Sequence, residues 1–190
     1  MKKSVSRLLW TLALLLLAAV LVFVNLPEEK PLPQVPPPDE APAEAEALPR
    51  GSQPGEELPD FTVRCLDGSD FSLSAQRGKV VVINLWATWC TPCVKELPDF
   101  DRLQREYPDG VAVLALHSPP VTTDVQDWLS AFSYEIPFAV DEDGSVGQLL
   151  NASTILPQTV IVGPTGVVSY NQSGALGYEK LLTLVEEARG

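Results

Sequence analysis

The sequence is poor in residues that bind transition metals, with three cysteines and one histidine among its 190 residues. A structural zinc site takes four such ligands, usually from two paired motifs. Beyond Cys90 and Cys93 the chain offers only Cys65 and His117, neither in a paired motif. A papain-like thiol protease would need His117 beside Cys90 and would leave Cys93 without a role. We therefore expect neither kind of centre, and no metal or organic cofactor.

Positive charge is also scarce. The chain has 13 basic and 25 acidic residues, and residues 55–190 hold 8 basic against 19 acidic side chains, a net charge of −11. This excess repels phosphate backbones and anionic lipid headgroups, so we expect no nucleic-acid partner. The sequence also shows no internal repeat, and its length allows one domain with additional segments.

One long hydrophobic run lies at the N-terminus. Lys2, Lys3 and Arg7 precede a 19-residue apolar stretch at 8–26, close to the roughly 20 residues that a membrane helix needs. Basic residues on its N-terminal side predict that this end is cytoplasmic. A cleaved signal peptide is the alternative, but its apolar region is usually shorter and ends in small residues. We expect residues 1–26 to be an uncleaved single-pass anchor in a bacterial inner membrane, with the domain on the periplasmic, extracytoplasmic side.

Proline is concentrated in the following segment. Residues 27–54 hold nine of the 18 prolines and six acidic side chains. Such a composition cannot bury a core, and proline keeps the chain extended. We expect a stiff, disordered linker here and a folded domain at residues 55–190.

Apolar runs separated by turn signals predict the elements of this domain. Asp67-Gly68 is typical of a hairpin turn, and the unalternating run KVVVINLW predicts a strand buried on both faces. Further strands are predicted at 111–116, 138–140, 159–162 and 167–170, and helices at 91–107 and 124–132, shortly before 151, and at the C-terminus. This order predicts an α/β fold: a central mixed β-sheet flanked by helices, with an added N-terminal β-hairpin.

Two cysteines lie between a buried strand and a helix start, in WATWCTPCVKELP. A purely structural disulfide across two intervening residues would close a very short loop and stabilise little. At a helix N-terminus the backbone N–H groups favour an anion, so Cys90 is predicted to be a reactive thiolate. Cys93, one turn further and more buried, suits a resolving thiol, and Pro92 is tolerated in a first helical turn. The pair is predicted to alternate between dithiol and disulfide.

Residues 86–98 resemble the active site of thioredoxin-fold proteins. More narrowly they resemble the membrane-anchored TlpA/ResA-like thiol–disulfide oxidoreductases, which include the cytochrome c maturation thioredoxins. The resemblance covers about residues 58–190, and the WCxPC core is its most specific part. It implies a thioredoxin-like fold and an enzyme that reduces disulfides in client proteins, for example during cytochrome c maturation. It also implies a membrane electron donor of the thiol-transporter type, and we expect a monomer.

The resemblance also implies roles for single residues. Cys90 would attack the client disulfide and Cys93 would resolve the mixed disulfide. Trp89 would cover the pair, and Pro98 would kink the helix. Pro157 matches the family's cis-proline, which lies beside the disulfide and helps to dock an extended partner segment.

Four further positions are singled out. Asn84 lies where ordinary thioredoxins carry a buried acid that takes protons from the resolving thiol, so that base is missing. Glu96 lies one helical turn beyond Cys93, where a glutamate of the ResA-like group tunes the cysteines; without the resemblance it would be a solvated helix residue. Cys65 is expected to be a buried, inert thiol, and His117 a loop histidine without assigned chemistry.

Two other functions stay open from the sequence. A peroxiredoxin-like peroxidase would carry threonine three residues before its reactive cysteine, whereas Ala87 occupies that position and Thr88 is displaced by one. A non-catalytic docking module would keep the fold without needing Cys90. The direction of electron flow is not readable from residue types, because about 30 mV corresponds to only ~1.4 kcal/mol for a two-electron couple.

Overall fold

The computed structural model describes residues 48–121 and 123–190. Within these residues the elements in chain order are β1 (Thr62–Arg64), β2 (Asp70–Ser72), β3 (Val80–Trp86), α1 (Thr91–Glu106), β4 (Val111–His117), α2 (Val125–Leu129), β5 (Phe138–Val140), α3 (Ser145–Leu149), β6 (Gln158–Val162), β7 (Val168–Ser173) and α4 (Tyr178–Arg189). A short 3-10 turn at Ser74–Gln76 precedes β3. The predicted order of elements is confirmed. Helix α2 is shorter than predicted, and α1 continues through Pro98.

The central sheet has the strand order β5-β4-β3-β6-β7. Strands β3, β4 and β5 are parallel, whereas β6 and β7 run antiparallel to their neighbours. All seven residues of β3 and all seven of β4 are buried, as their unbroken apolar runs predict. Parallel strands end at the same edge of a sheet. The end of β3, the start of α1 and the end of β4 therefore lie near one another.

The two faces of the sheet bury different clusters. Val80, Val82 and Trp86 of β3 pack with apolar residues of α1 and α4. The intervening Val81, Ile83 and Leu85 pack with the β1–β2 hairpin and α3, including Phe71, Leu73 and Leu150. The predicted mixed sheet with an added N-terminal hairpin is thus confirmed. By the same alternation, Asn84 lies on the α1 side of β3.

The end of the predicted linker packs against the domain. The Glu57 N–H donates to the Pro49 carbonyl at 2.8 Å, and the Asn171 side chain donates to the Ser52 carbonyl at 2.9 Å. Ser52 is buried. Pro49 and Ser52, which the prediction places in the linker, therefore contact the folded domain.

The predicted anchor at 1–26 and most of the predicted linker lie outside the described residues. Across 48–121 and 123–190, no helix combines the length and apolar character needed to span a bilayer.

Candidate active site

Cys90 and Cys93 lie at the start of α1 and are joined by a disulfide. Strand β3 ends at Trp86, and a turn closed by the Cys90 N–H to the Ala87 carbonyl at 3.0 Å connects it to the helix. Cys90 is the N-cap residue, with extended backbone angles, and its sulfur accepts the Cys93 N–H at 3.4 Å. A thiolate of Cys90 formed on reduction would face the N–H groups of the first helical turn.

The two cysteines differ in how far they are exposed to solvent. Cys90 is 5% exposed and Cys93 is completely buried. Cys93 is therefore the more buried of the two, as the sequence predicts. Pro92 lies exposed in the first turn between them, where its missing N–H would have had no intrahelical partner.

Trp89 marks an open surface next to Cys90. Its side chain is 52% exposed, and it lines a cavity of about 370 Å³ together with Pro119, Pro120 and Leu156. The exposed indole of Trp89 and Leu156, the residue before Pro157, therefore line the same cavity.

The Leu156–Pro157 peptide bond is cis, as the resemblance implies. Gln158 follows and pairs with Leu85 of β3, so Pro157 lies beside the end of the strand that leads to the disulfide. The Pro157 carbonyl accepts the Gly174 N–H at 2.8 Å. Its docking role remains a prediction.

Glu96 of α1 is a buried carboxylic acid that contacts β3 and the loop before α4. It is 3% exposed, accepts the Asn84 side-chain amide at 2.8 Å through Oε1, and accepts the Leu176 N–H at 2.9 Å through Oε2. Burial raises the pKa of Glu96 to about 7, although both hydrogen bonds favour the ionised form. A group with this pKa exchanges a proton near neutral pH.

This arrangement places a carboxylic acid of α1 against Asn84 of β3. Asn84 lies on the α1 side of the strand, and it holds the carboxyl of Glu96 one helical turn beyond Cys93. Both residues are predicted from the sequence, but their contact is not. Asn84 is the one polar side chain in the buried β3, which is the signal that it needs a partner.

The expectation that His117 lies in a loop is wrong. His117 is the last residue of β4 and completely buried, with its Nε2 accepting the Thr88 N–H at 3.2 Å. Its ring packs edge-on against Trp86, with centroids 5.2 Å apart. The run VAVLALH ends on a polar residue, and the sequence does not reveal that this residue turns inward.

Cys65 is buried, as predicted, at 3% exposure. Its backbone bridges to Ala139 of β5, which ties the hairpin to the central sheet. Burial is the main reason that the pKa of its thiol is raised. The thiol is therefore protonated and shielded at neutral pH.

The chain is similar in sequence to a protein family and to known thioredoxin-like proteins. The family model AhpC/TSA matches residues 54–171. The thioredoxin-like protein YneN of Bacillus subtilis (strain 168) is 34% identical over 121 residues, covering 62% of this chain and 70% of YneN. The thiol-disulfide oxidoreductase ResA of Geobacillus thermodenitrificans (strain NG80-2) is 29% identical over 195 residues, covering 100% of this chain and 99% of ResA.

A solved structure extends the likeness to the fold. The pneumococcal exposed lipoprotein thioredoxin Etrx1 from Streptococcus pneumoniae strain TIGR4 superimposes with a TM-score of 0.63 at 27% identity. The match covers 68% of this chain and 99% of Etrx1. The thioredoxin-like fold implied by the active-site motif is thus confirmed.

Proposed function

The chain belongs to the AhpC/TSA family and to its thioredoxin-like, ResA-related thiol–disulfide oxidoreductases, and from this we propose that it reduces disulfides in client proteins outside the cytoplasm. The observation that carries the proposal is the position of the Cys90–Cys93 disulfide. Cys90 caps α1 and keeps 5% of its surface exposed, whereas Cys93 is completely buried. This is the arrangement that a two-step exchange requires.

The exchange begins with reduced protein. The Cys90 thiolate attacks one sulfur of the client disulfide, forming a mixed disulfide and releasing the other client sulfur as a thiolate. Cys93 then loses its proton and attacks the Cys90 sulfur, which releases the second client thiolate. Two electrons have passed to the client, and the protein is left with the Cys90–Cys93 disulfide.

Glu96 is suited to take the proton of Cys93. It is buried one turn beyond that thiol, and its pKa of about 7 lies near the operating pH, where a general base is most effective. Asn84 and the Leu176 N–H fix the orientation of the carboxyl. Glu96 lies on α1 and takes the place of the acid that ordinary thioredoxins carry on the strand equivalent to β3.

The N-terminal sequence and the similarity to two relatives support the proposed extracytoplasmic location. The charged and apolar pattern of residues 1–26 favours a membrane anchor, and the likeness to ResA includes this segment. Etrx1 is an exposed lipoprotein. A membrane thiol transporter would return the protein to the dithiol form, and the resemblance implies the cysteines of apocytochrome c as a client class.

The direction of transfer is tested by the reduction potential of the Cys90–Cys93 couple in the full chain, equilibrated against dithiothreitol or glutathione buffers. A potential near or below about −270 mV, that of thioredoxin, supports a reductase. A potential near about −120 mV, that of DsbA, would overturn the direction and leave the exchange chemistry standing.

The exchange itself is tested with a trapping variant. Cys93→Ser stops the reaction at the mixed disulfide, so clients should be captured covalently on Cys90 and released by dithiothreitol. The matched control Cys90→Ser should capture none and show no disulfide reduction. Full function of Cys90→Ser would instead indicate a docking module, and peroxide consumption that depends on Cys90 would indicate a peroxidase.

A further inference from the structure

The imidazole of His117 contacts the turn that carries Cys90. Its Nε2 accepts the backbone N–H of Thr88 at 3.2 Å. Thr88 lies two residues before Cys90, within the turn that the Cys90 N–H closes on the Ala87 carbonyl. A side chain of β4 thus holds the backbone that brings Cys90 to the start of α1.

The backbone around His117 is itself fixed by both neighbouring strands. The Ser118 N–H donates to the Trp86 carbonyl at 2.8 Å, and the Asp141 N–H donates to the His117 carbonyl at 2.9 Å. Trp86 packs on the imidazole with the ring planes at 77°. Because the sheet holds the ring, the hydrogen bond to Thr88 transmits this fixed position to the turn.

Packing alone does not explain a histidine at this position. The residue is completely buried, and within 48–121 and 123–190 its Nδ1 has no hydrogen-bond partner. An aliphatic side chain would fill the core without burying an unpaired polar atom. Burial lowers the pKa of His117, which keeps the ring neutral at neutral pH and preserves the lone pair on Nε2.

We propose that His117 is a positioning residue for disulfide exchange, which holds the turn before Cys90 by accepting the Thr88 N–H. The role rests on the proposed function, because it concerns the same reactive sulfur. Without the acceptor the turn is less constrained, and the Cys90 sulfur is held less firmly against the N–H groups of α1. Its thiolate is then less stabilised and forms at higher pH.

The hydrogen bond can be observed directly, because the chain has one histidine. In full-length protein labelled with ¹⁵N-histidine, the ring nitrogens at pH 7 should report a neutral imidazole with its proton on Nδ1. The Thr88 amide should be protected from hydrogen exchange in wild type and should lose protection in His117→Leu. A proton on Nε2, or an imidazolium at pH 7, would overturn the proposal.

The effect of this hydrogen bond on the Cys90 thiolate is measured in full-length protein that carries Cys93→Ser. The rate at which iodoacetamide alkylates Cys90 is recorded as a function of pH. His117→Leu removes the acceptor, so the alkylation midpoint should move to higher pH and the rate at pH 7 should fall about tenfold. His117→Gln places an amide oxygen near the position of Nε2 and should stay within about twofold of wild type. His117→Asn, one methylene shorter, should resemble the leucine variant and replaces it if that variant does not fold.

Two results would reject the positioning role. One is an unchanged alkylation profile when the acceptor is removed. The other is an equal shift in His117→Gln and in the variants without an acceptor, which would indicate only loss of packing. Neither measurement involves a client, so a failure to reduce client disulfides, with the expected alkylation profiles, would count against the proposed function and not against His117.

Discussion

The side-chain amide of Asn84 donates a hydrogen bond of 2.8 Å to the buried carboxyl of Glu96. The two residues lie on different elements, and the contact joins β3 to α1, the helix that begins at the Cys90–Cys93 disulfide. Its chemistry is open to tests that do not require a client, because a buried titratable group changes the stability of the protein with pH.

The free energy of unfolding should depend on pH through Glu96. Its pKa in the folded protein, about 7, lies above the ordinary 4.5, so the folded state binds the proton more tightly than the unfolded chain. The stabilising effect is complete below pH 4.5 and is lost as the pH rises to about 7. Glu96→Gln removes this titration and should be more stable than wild type by roughly 1–3 kcal/mol at pH 8, with little difference at pH 4.5.

Urea unfolding of the oxidised protein between pH 4.5 and 8 measures this difference. The matched control is Glu187→Gln, which changes an exposed glutamate of α4. Because this side chain is exposed, the substitution should change the free energy of unfolding by less than about 0.5 kcal/mol. A constant gap between Glu96→Gln and wild type at all pH values would show that Glu96 does not titrate in this range.

Replacing Asn84 by aspartate should create two carboxyl groups in contact. Like charges at this distance cannot both ionise, so one proton is retained and the pKa of the pair is raised further. Asn84→Asp should therefore destabilise the protein by roughly 2–4 kcal/mol at pH 8 and by much less at pH 5. Unfolding at both pH values checks this.

The control for that experiment is Asn84→Leu, which removes the hydrogen bond without adding an acid. Its loss of stability should vary less with pH than that of the aspartate variant. If the two variants responded alike to pH, the interaction between neighbouring carboxyl groups would not be the cause.

Asp101 should be the acid of α1 that contributes most to stability. It is 2% exposed, accepts the N–H groups of Glu135 at 2.6 Å and Ile136 at 3.2 Å, and pairs with Arg105. Asp101→Ala leaves two backbone donors of the segment before β5 without their acceptor. The expected loss is about 2–4 kcal/mol, measured by urea unfolding.

The matched control is Glu187→Ala on the exposed face of α4, which should change stability by less than about 0.5 kcal/mol. A loss below about 1 kcal/mol for Asp101→Ala would mean that water replaces the carboxylate at both N–H groups.

Cys65 should take no part in the exchange. Its thiol is buried, and its pKa is raised by that burial. In native, fully reduced protein, iodoacetamide at pH 7 should modify Cys90 well before Cys65, as read by mass spectrometry of peptides. Cys65→Ala should retain disulfide-reductase activity within about twofold, because the residue lies outside the exchange path. Rapid native labelling of Cys65, or loss of activity in the alanine variant, would show a redox role.

Much of the fold could be predicted because its signals are local. The apolar runs of β3 and β4 predicted buried strands, the Asp67-Gly68 turn predicted the hairpin, and the helix predicted at 91–107 is α1. The boundary of the linker depends on long-range contacts instead. The contacts of Pro49 and Ser52 with Glu57 and Asn171 join positions that composition alone cannot relate.

The active site likewise has features that local sequence signals predict and features that only long-range contacts set. The position of Cys90 at a helix start follows from strand, turn and helix signals within a dozen residues. The partners of Glu96 and His117 do not, because side-chain contacts across elements depend on register and on which face of a strand packs inward. A buried acid and a solvated one look identical in sequence.

The sequence by itself determined the chemistry available to this protein: two cysteines in a WCTPC motif at a helix N-terminus, an acidic domain, and a cis-proline position inferred from resemblance. Tertiary structure decided how that chemistry is controlled. Folding buries Glu96 in contact with Asn84, and this burial raises the pKa of Glu96 to about 7. It also buries Cys93 completely, and it places the imidazole of His117 in the core, where Nε2 accepts the Thr88 N–H. The physical reason is that removal from water and long-range hydrogen bonds set the energy of a charge, and both exist only once the chain has folded.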